Sequence, residues 1–405
     1  MNKNKALLAI SISLTLSGCL SSDDNDSSIS DHGDCDGANP NMAIQTAVFG
    51  TGSAVAIGCS REATLTDGYM TIADSDDYSV STGKNSFYHI GRGSIATIAK
   101  YDFLTPSIEE WSYSTNDANE SPSNPHKLIE VSDTKAYLIR YNKSKVWIVN
   151  PSAANEQDYK VGELDLSAYL ASVGDTTSTA TDMKDAALVN GKLFVAMQRL
   201  RNGSQSGGYD NRDYTNFSMV AVFDIETDIE LDASPNDDSF KGITLAGHNV
   251  QTLNAFGDKV YVSSRGDYGQ DYGLLEVIAT SDYSVTTLKQ GTDELGHIVD
   301  AAIISATEGF ILGDLSGYPV PGVYENYTYK HKIYPFNPST GQVEEAMTDF
   351  ENIHLSDIEA GPDGYLWVLS AVDSNPGVYK VDITGVEDNI FLETNLNPVK
   401  IAFKL

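Results

Sequence analysis

The chain has 405 residues, with 26 Lys and Arg against 57 Asp and Glu, which gives a formal net charge of −31. This balance excludes the basic footprint expected of a nucleic-acid-binding protein and indicates a solvated acidic surface. Because no apolar run of spanning length follows the first twenty residues, the rest of the chain is not expected to cross a bilayer.

The N-terminus carries a targeting pattern. Lys3 and Lys5 precede an apolar stretch over residues 6–16, which is too short to span a bilayer as a mature helix. The stretch closes with Leu16-Ser17-Gly18-Cys19, which resembles the lipobox of bacterial lipoproteins. An ordinary signal peptide followed by a chance cysteine is the alternative.

The lipobox resemblance implies that residues 1–18 are a signal peptide and that Cys19 carries the acyl chains, palmitate among them. Several acyl chains hold a protein stably at a bilayer. Leu20 follows Cys19 where the family's inner-membrane sorting signal has Asp, so the resemblance implies a lipid-anchored protein of the outer membrane.

The residues after the anchor are predicted to be a flexible tether. Residues 21–34 are almost all Ser, Asp and Asn and cannot bury enough apolar surface to fold. We therefore divide the chain into the signal peptide, a disordered acylated tether over residues 19–34, and a folded domain over residues 35–405.

Two cysteines remain in the folded domain. Cys35 and Cys59 are about 24 residues apart in a chain expected in an oxidising compartment, which favours a disulfide. Such a bond would contribute roughly 3 kcal/mol at the N-terminal edge. A metal-binding pair is the lesser alternative, since neither cysteine lies in a CxxC motif.

Short aromatic and β-branched runs recur along the domain. Six of them, about 50 to 67 residues apart, lie at residues 87–90, 136–139, 193–196, 260–262, 310–312 and 365–368. Further strand-like runs follow, as at residues 146–151, 220–224, 283–288 and 333–341, and no amphipathic helix of useful length separates them. Four short strands per unit predict an all-β fold with a single β-propeller.

Six units are clear, and a seventh is predicted from residues 43–72 together with the terminal strand 398–405. Closing one blade from both chain ends removes the open sheet edge, so seven blades of four antiparallel strands are preferred and six are the fallback. Residues 336–343 and 359–370 resemble the repeat of the bacterial YVTN, NHL and quinoprotein-like propellers. That resemblance implies the fold and leaves the function open.

Polar residues recur where each innermost strand is expected to begin. Imidazole and carboxylate are ligands for first-row cations, so a ring of them at the channel mouth is a candidate site for a divalent metal cofactor. The alternative is that they satisfy backbone groups of neighbouring blades. The set is His126, Asp182, His248, His297, Asp300, His354 and Asp357, with a fainter match at residues 77–80.

Four arginines recur at the ends of the second strands of consecutive units, on the same predicted face. Guanidinium groups gathered on so acidic a protein suggest an anionic ligand, and salt bridges to the abundant carboxylates are the alternative. These residues are Arg92, Arg140, Arg199 and Arg265.

The loops that follow these strand ends are rich in Tyr, Gly, Ser and Asp, over residues 202–217, 266–273 and 316–329. Tyrosine with small polar residues is typical of binding loops, and mobile solvated loops are the alternative. The candidate ligand-binding tyrosines are Tyr268, Tyr272 and Tyr318.

The common catalytic motifs are absent. Because the His/Asp ring, the arginines and the tyrosine loops are predicted to share one face, a binding protein is preferred, and an enzyme stays an open alternative. The first hypothesis is capture of an anionic small molecule or metal chelate, such as a ferric siderophore, for an outer-membrane transporter. The picture resembles surface lipoproteins that serve TonB-dependent uptake. The alternatives are a metal-dependent hydrolase or lactonase that uses the His/Asp ring, and a protein-interaction scaffold in envelope assembly.

Overall fold

The computed structural model describes residues 35, 39–173, 176–200, 216–234, 239–267, 271–317 and 327–404. Within these ranges the strands form eight small antiparallel sheets: one is a two-stranded hairpin, and the other seven are blades whose innermost strands contact one another in a closed ring. The prediction of a seven-bladed β-propeller is confirmed.

Within each blade the strands follow one another outward from the ring axis. The innermost strands of blades 1 to 7 are Pro398–Phe403, Tyr78–Thr82, Pro125–Ser132, Met183–Val189, Val250–Phe256, His297–Ile303 and Leu355–Ala360. The second strands are Met42–Val48, Ser86–Gly91, Lys135–Arg140, Lys192–Met197, Lys259–Ser264, Gly309–Asp314 and Leu366–Ser370.

The third strands are Gly52–Cys59, Thr97–Asp102, Lys145–Val149, Phe217–Asp224, Leu274–Ala279, His331–Phe336 and Gly377–Val381. The fourth strands, which blade 6 replaces with a Phe336–Val343 bridge, are Thr64–Ala73, Glu109–Ser114, Lys160–Asp165, Ile229–Glu230, Val285–Gln290 and Ile390–Glu393. Additional elements are the strand Ile243–His248 on blade 4, the hairpin Ser172–Val173 with Thr176–Thr177, and the 3₁₀ turns Glu156–Asp158, Ser167–Tyr169 and Thr348–Phe350. No helix in the described ranges is long and apolar enough to cross a membrane.

The burial of the strands explains why the sequence revealed them. Second strands are packed between two blades, and Ser86–Gly91 and Gly309–Asp314 are buried at every residue. Fourth strands lie at the rim, and Glu109–Ser114 has no buried residue. Strands buried on both faces are read as continuous apolar runs, which is the pattern that the repeat showed.

The first blade is built from both ends of the chain, as predicted. Met42–Val48 pairs antiparallel with Pro398–Phe403, with Met42 opposite Phe403 and Ile44 opposite Ile401. Trp367 of blade 7 is fully buried in the apolar cluster shared with this blade. The pairing therefore closes the ring of blades, and the sheet edges that remain are the outer strands at the rim.

All seven innermost strands begin at the same face, which we call the entry face; the opposite one is the far face. Antiparallel register brings the end of each second strand to the entry face, as where Pro125 lies opposite Arg140 and His297 opposite Asp314. Third strands run antiparallel to the second strands, from the entry face to the far face. Cys59 is the last residue of the third strand of blade 1, so it lies at the far face. It forms the predicted disulfide with Cys35, whose Cα lies 5.5 Å from that of Cys59.

Candidate functional site

A cavity of about 700 Å³ follows the propeller axis and is lined by all seven innermost strands. It extends from Arg92 and His126 near the entry face to Pro362 and Lys404 near the far face. Its volume lies within the range of small-molecule sites. The cavity is therefore a concave feature of the described residues that is large enough to hold a small ligand.

One side of the cavity is positive. We call Arg92, Lys127 and Lys184, on blades 2, 3 and 4, together with the neutral His126 between them, the cationic corner. Lys127 Nζ lies 2.7 Å from Oδ1 of Asp185, and Arg92 Nε lies 3.4 Å from Oδ1 of Asp77. Both ion pairs keep the cations at the wall of the cavity.

His126 carries an unsatisfied polar atom in this corner. Its Nε2 is buried and has no hydrogen-bond partner among the described residues, while its ring stacks on Tyr141 at 4.7 Å between centroids. Burial, with smaller effects of Arg92 and Lys184, holds the pKa of His126 well below its usual range. The imidazole is therefore neutral at pH 7 and presents a polar atom that a bound molecule would satisfy.

The other side of the cavity is negative. We call Asp300, Asp357 and Glu359, on blades 6 and 7, the acidic wall. Lys400 of blade 1 lies beside it, with Nζ 2.9 Å from Oδ1 of Asp357 and 3.9 Å from Oε2 of Glu359. One lysine thus serves two carboxylates and lies closer to Asp357.

Two of the cavity carboxylates also join neighbouring blades. Asp185 Oδ2 accepts the Leu253 N–H of blade 5 at 2.8 Å, and Asp357 Oδ2 accepts the Ile401 N–H of blade 1 at 3.1 Å. Each also pairs with a lysine of an adjacent blade. This arrangement agrees with the structural alternative for Asp357, in which a polar residue satisfies the backbone of the next blade.

Asp300 and Glu359 are the carboxylates of the acidic wall that neighbouring cations neutralise least. Asp300 Oδ1 accepts the Ala301 N–H at 2.8 Å and Asn254 Nδ2 at 3.3 Å, and no lysine lies within ion-pair distance in the described ranges. Burial, with repulsion from Asp357, raises the pKa of Asp300 to about 7. Burial also raises the pKa of Glu359 to about 7, against the opposing effect of Lys400.

The seven predicted metal ligands do not form one site. They all lie within three residues of the start of an innermost strand, but the described ranges contain no group of three or more His, Cys, Asp or Glu placed to hold a metal ion. Nδ1 of His248 lies 2.9 Å from the Asn216 carbonyl, and Nδ1 of His297 lies 2.9 Å from the Arg265 carbonyl. Asp182 is fully buried, and its backbone carbonyl accepts the Gln198 N–H. His126, Asp300 and Asp357 line the cavity; His354 does not.

The four predicted arginines have different surroundings, and the chain itself engages each guanidinium. Arg140 is buried, pairs with Asp117 and lies 4.1 Å above the Trp147 ring. Arg199 Nε donates to the Tyr169 carbonyl at 2.9 Å. Arg265 Nη2 lies 3.0 Å from Oδ2 of Asp314, and of the four only Arg92 lines the cavity.

The sequence analysis did not predict a cluster of aromatic and charged side chains at the entry face of blades 6 and 7. Nε2 of His331 lies 3.6 Å from Oδ1 of Asp314, and Tyr329 stacks on His354 at 3.6 Å between centroids. His331 begins a third strand, so it lies outside the innermost-strand register that revealed the other histidines. Only nearness in space could have found it.

Two of the predicted tyrosines, Tyr268 and Tyr318, lie outside the described ranges, as does Cys19, the predicted acylation site. Tyr272 is described: its hydroxyl donates to Oδ1 of Asp293 at 2.7 Å, and its ring lies 5.1 Å from that of His297. Tyr272 does not line the cavity.

No protein-family model and no curated protein matches the chain. Several solved structures share its fold. A Bacteroides fragilis protein called a "putative 6-phosphogluconolactonase" has a TM-score of 0.59 at 11% identity, over 91% of this chain and 99% of its own. Its Bacteroides uniformis counterpart has a TM-score of 0.55 at 12% identity, over 90% and 99%. A Lactobacillus plantarum protein also has a TM-score of 0.55 at 12% identity, over 90% and 99%. These likenesses show the fold alone.

Proposed function

We propose that this chain is a lipid-anchored envelope protein whose propeller binds a small anionic molecule in its central cavity without catalysing a reaction. The observation that carries the proposal is the cationic corner, which places Arg92, Lys127 and Lys184 on three adjacent blades of a chain with net charge −31. Because salt screens exposed charges over roughly 8 Å, the charges that line the cavity, rather than the distant surface, set the field beside the cationic corner.

The corner suits an oxyanion for two further reasons. Arg92 and Lys127 already hold single carboxylates, Asp77 and Asp185, so donors for carboxylate oxygens are oriented before any ligand arrives. Nε2 of His126 is buried without a partner in the described chain, and such atoms usually await a water or a ligand. The anion site therefore moves from the four predicted arginines to Arg92 and two lysines.

The position of the N-terminal end of the folded domain supports an orientation in which the cationic corner faces away from the membrane. Cys35 is held to Cys59 at the far face, so the proposed tether from acylated Cys19 would join the domain there. The cationic corner lies toward the entry face. We propose that the outer membrane lies below the far face, and that ligand reaches the cavity and a partner transporter from the entry face.

Ligand binding by the purified protein tests the proposal. A panel of small carboxylates, phosphates, sugar acids and ferric chelates is screened by thermal shift, and hits are measured by titration calorimetry. We expect Arg92→Gln with Lys184→Gln to weaken a bound anion by at least 10-fold. The control Lys241→Gln with Lys289→Gln removes the same charge outside the cavity and should leave affinity unchanged.

A flat response to every anion, or equal weakening by both double variants, would contradict the binding proposal. A partner recovered by crosslinking would then favour the scaffold function.

Hydrolysis of an anionic lactone is the second candidate. Glu359 lines the cavity and its pKa is raised to about 7, which suits a general base that takes a proton from water at neutral pH. The names of the two Bacteroides proteins make 6-phosphogluconolactone the first probe. Turnover above spontaneous hydrolysis that Glu359→Gln removes would favour the enzyme, and binding without turnover would favour capture.

A further inference from the structure

We infer that the ligand of the cavity is a zwitterion, whose ammonium group lies between Asp300 and Glu359 while its anionic group lies in the cationic corner. The inference rests on the proposed function and names its ligand class. It depends on how the cavity lysines are distributed among the blades.

A carboxylate recurs after a bulge in the innermost strands of blades 4, 6 and 7, at Asp185, Asp300 and Asp357. Two of the three have a lysine from an adjacent blade: Lys127 lies 2.7 Å from Asp185, and Lys400 lies 2.9 Å from Asp357. At Asp300 the neighbouring strands supply Asn254 and Thr252 instead. The repeat therefore leaves one carboxylate without its ammonium partner.

Glu359 adds a second carboxylate to the same wall. Its cation within ion-pair distance is Lys400, at 3.9 Å, which is the limit of an ion pair and a full ångström longer than the bond from Lys400 to Asp357. Glu359 also faces Lys127 and Asp185 across the cavity, and Asp300 faces Asp357 and Lys400. Lys400 alone cannot neutralise the three carboxylates of the acidic wall. A second cation beside the wall would therefore be stabilised.

The positive and negative groups of the cavity lie on opposite sides of the ring, so the two charges of the ligand would be separated by the width of the cavity. The cationic corner belongs to blades 2 to 4 and the unmatched carboxylates to blades 6 and 7, on opposite sides of a cavity of about 700 Å³. A molecule with one charge would leave one side unsatisfied, and burying an unpaired charge is costly. A zwitterion spanning the cavity satisfies both sides at once.

The proposed site also predicts that ligand binding changes the number of protons bound to the protein. Asp300 and Glu359 have pKa values raised to about 7, so both are partly protonated at neutral pH. An ammonium group beside them favours the ionised form, so binding should release protons. Calorimetry in buffers of different ionisation enthalpy measures that release.

The test uses ω-amino acids of four to eight carbons, with the matched carboxylates and the matched primary amines, on the purified protein. We expect at least one amino acid to bind 10-fold or more tightly than either singly charged analogue, with proton release at pH 7. Glu359→Gln and Asp300→Asn should each weaken the amino acid at least 5-fold and leave the carboxylate unchanged. Glu345→Gln, at an exposed acid, is the matched control.

Each outcome separates this inference from the binding proposal. Carboxylates that bind as tightly as amino acids, with no effect of Glu359→Gln, would overturn the inference and leave anion binding intact. Amines that bind while no anion does would overturn the binding proposal itself. Failure of the whole series to bind would overturn the zwitterion class, and the anion panel would decide the proposed function separately.

Discussion

Nζ of Lys400 lies 2.9 Å from Oδ1 of Asp357 and so joins the last strand of the chain to the innermost strand of blade 7. The bond forms where the ring closes, and the Ile401 N–H donates to the other oxygen of the same carboxylate. Stability at this seam and ligand binding in the cavity therefore depend on the same group of charges.

Replacing the seam lysine should destabilise the propeller. Lys400→Met leaves the buried Asp357 and the half-buried Glu359 without their cation, and an unsatisfied buried polar group typically costs about 1–3 kcal/mol. Urea unfolding at pH 7 measures the loss. Lys145→Met, which breaks an exposed pair with Glu163, should cost less than about 1 kcal/mol; equal losses would mean that the seam pair has no special role.

The stability that Glu359 and Asp300 contribute to the folded protein should fall as pH rises from their ordinary pKa values to about 7. The folded pKa values of Glu359 and Asp300 are about 7, above their ordinary values of 4.5 and 3.8. A raised acid pKa contributes stability that is fully present below the ordinary value and is lost as pH rises through the folded one. Melting temperatures of the wild type and Glu359→Gln from pH 5 to 8.5 test this, because the wild type should lose stability relative to the variant as pH rises to about 7; a difference that does not change with pH would contradict the assignment.

The apolar runs allowed the blades to be predicted because strands packed on both faces have little room for polar residues, as in Gly309–Asp314. The lining of the cavity could not be predicted in the same way. A bulge between Ile298 and Asp300, repeated between Leu355 and Asp357, shifts the register just after each strand begins. Such a shift changes which side chains face the axis, and simple alternation does not reveal it.

The arginines show the same limit. Their spacing correctly placed them at strand ends, but the partner of Arg140 is Asp117, which precedes the innermost strand of its own blade. A contact made by an irregular segment has no periodic signal. The sequence therefore could not separate Arg140, which is buried, from Arg92, which lines the cavity.

These two arginines should respond in opposite ways to substitution. Arg140→Met breaks the pair of the buried guanidinium with Asp117 and its contact with Trp147, while Asp117 keeps Lys160, so it should cost roughly 1.5–3 kcal/mol and leave ligand affinity unchanged in the folded fraction. Arg92→Gln should change stability by less than about 1 kcal/mol and weaken anion binding. Denaturant unfolding and calorimetry on both variants check the contrast, and a shared phenotype would refute it.

Removal of the disulfide should loosen the far face, where the proposed tether joins the domain. Cys35 and Cys59 close a segment with a sequence separation of 24, for which loop entropy gives roughly 3 kcal/mol. Cys35→Ser with Cys59→Ser should lower the free energy of unfolding by about that amount, and a reductant should have no further effect on this variant. Because the bond lies at the far face and the cationic corner toward the entry face, ligand affinity of the folded variant should remain within twofold of wild type. A larger loss of affinity would mean that the N-terminal edge is coupled to the cavity.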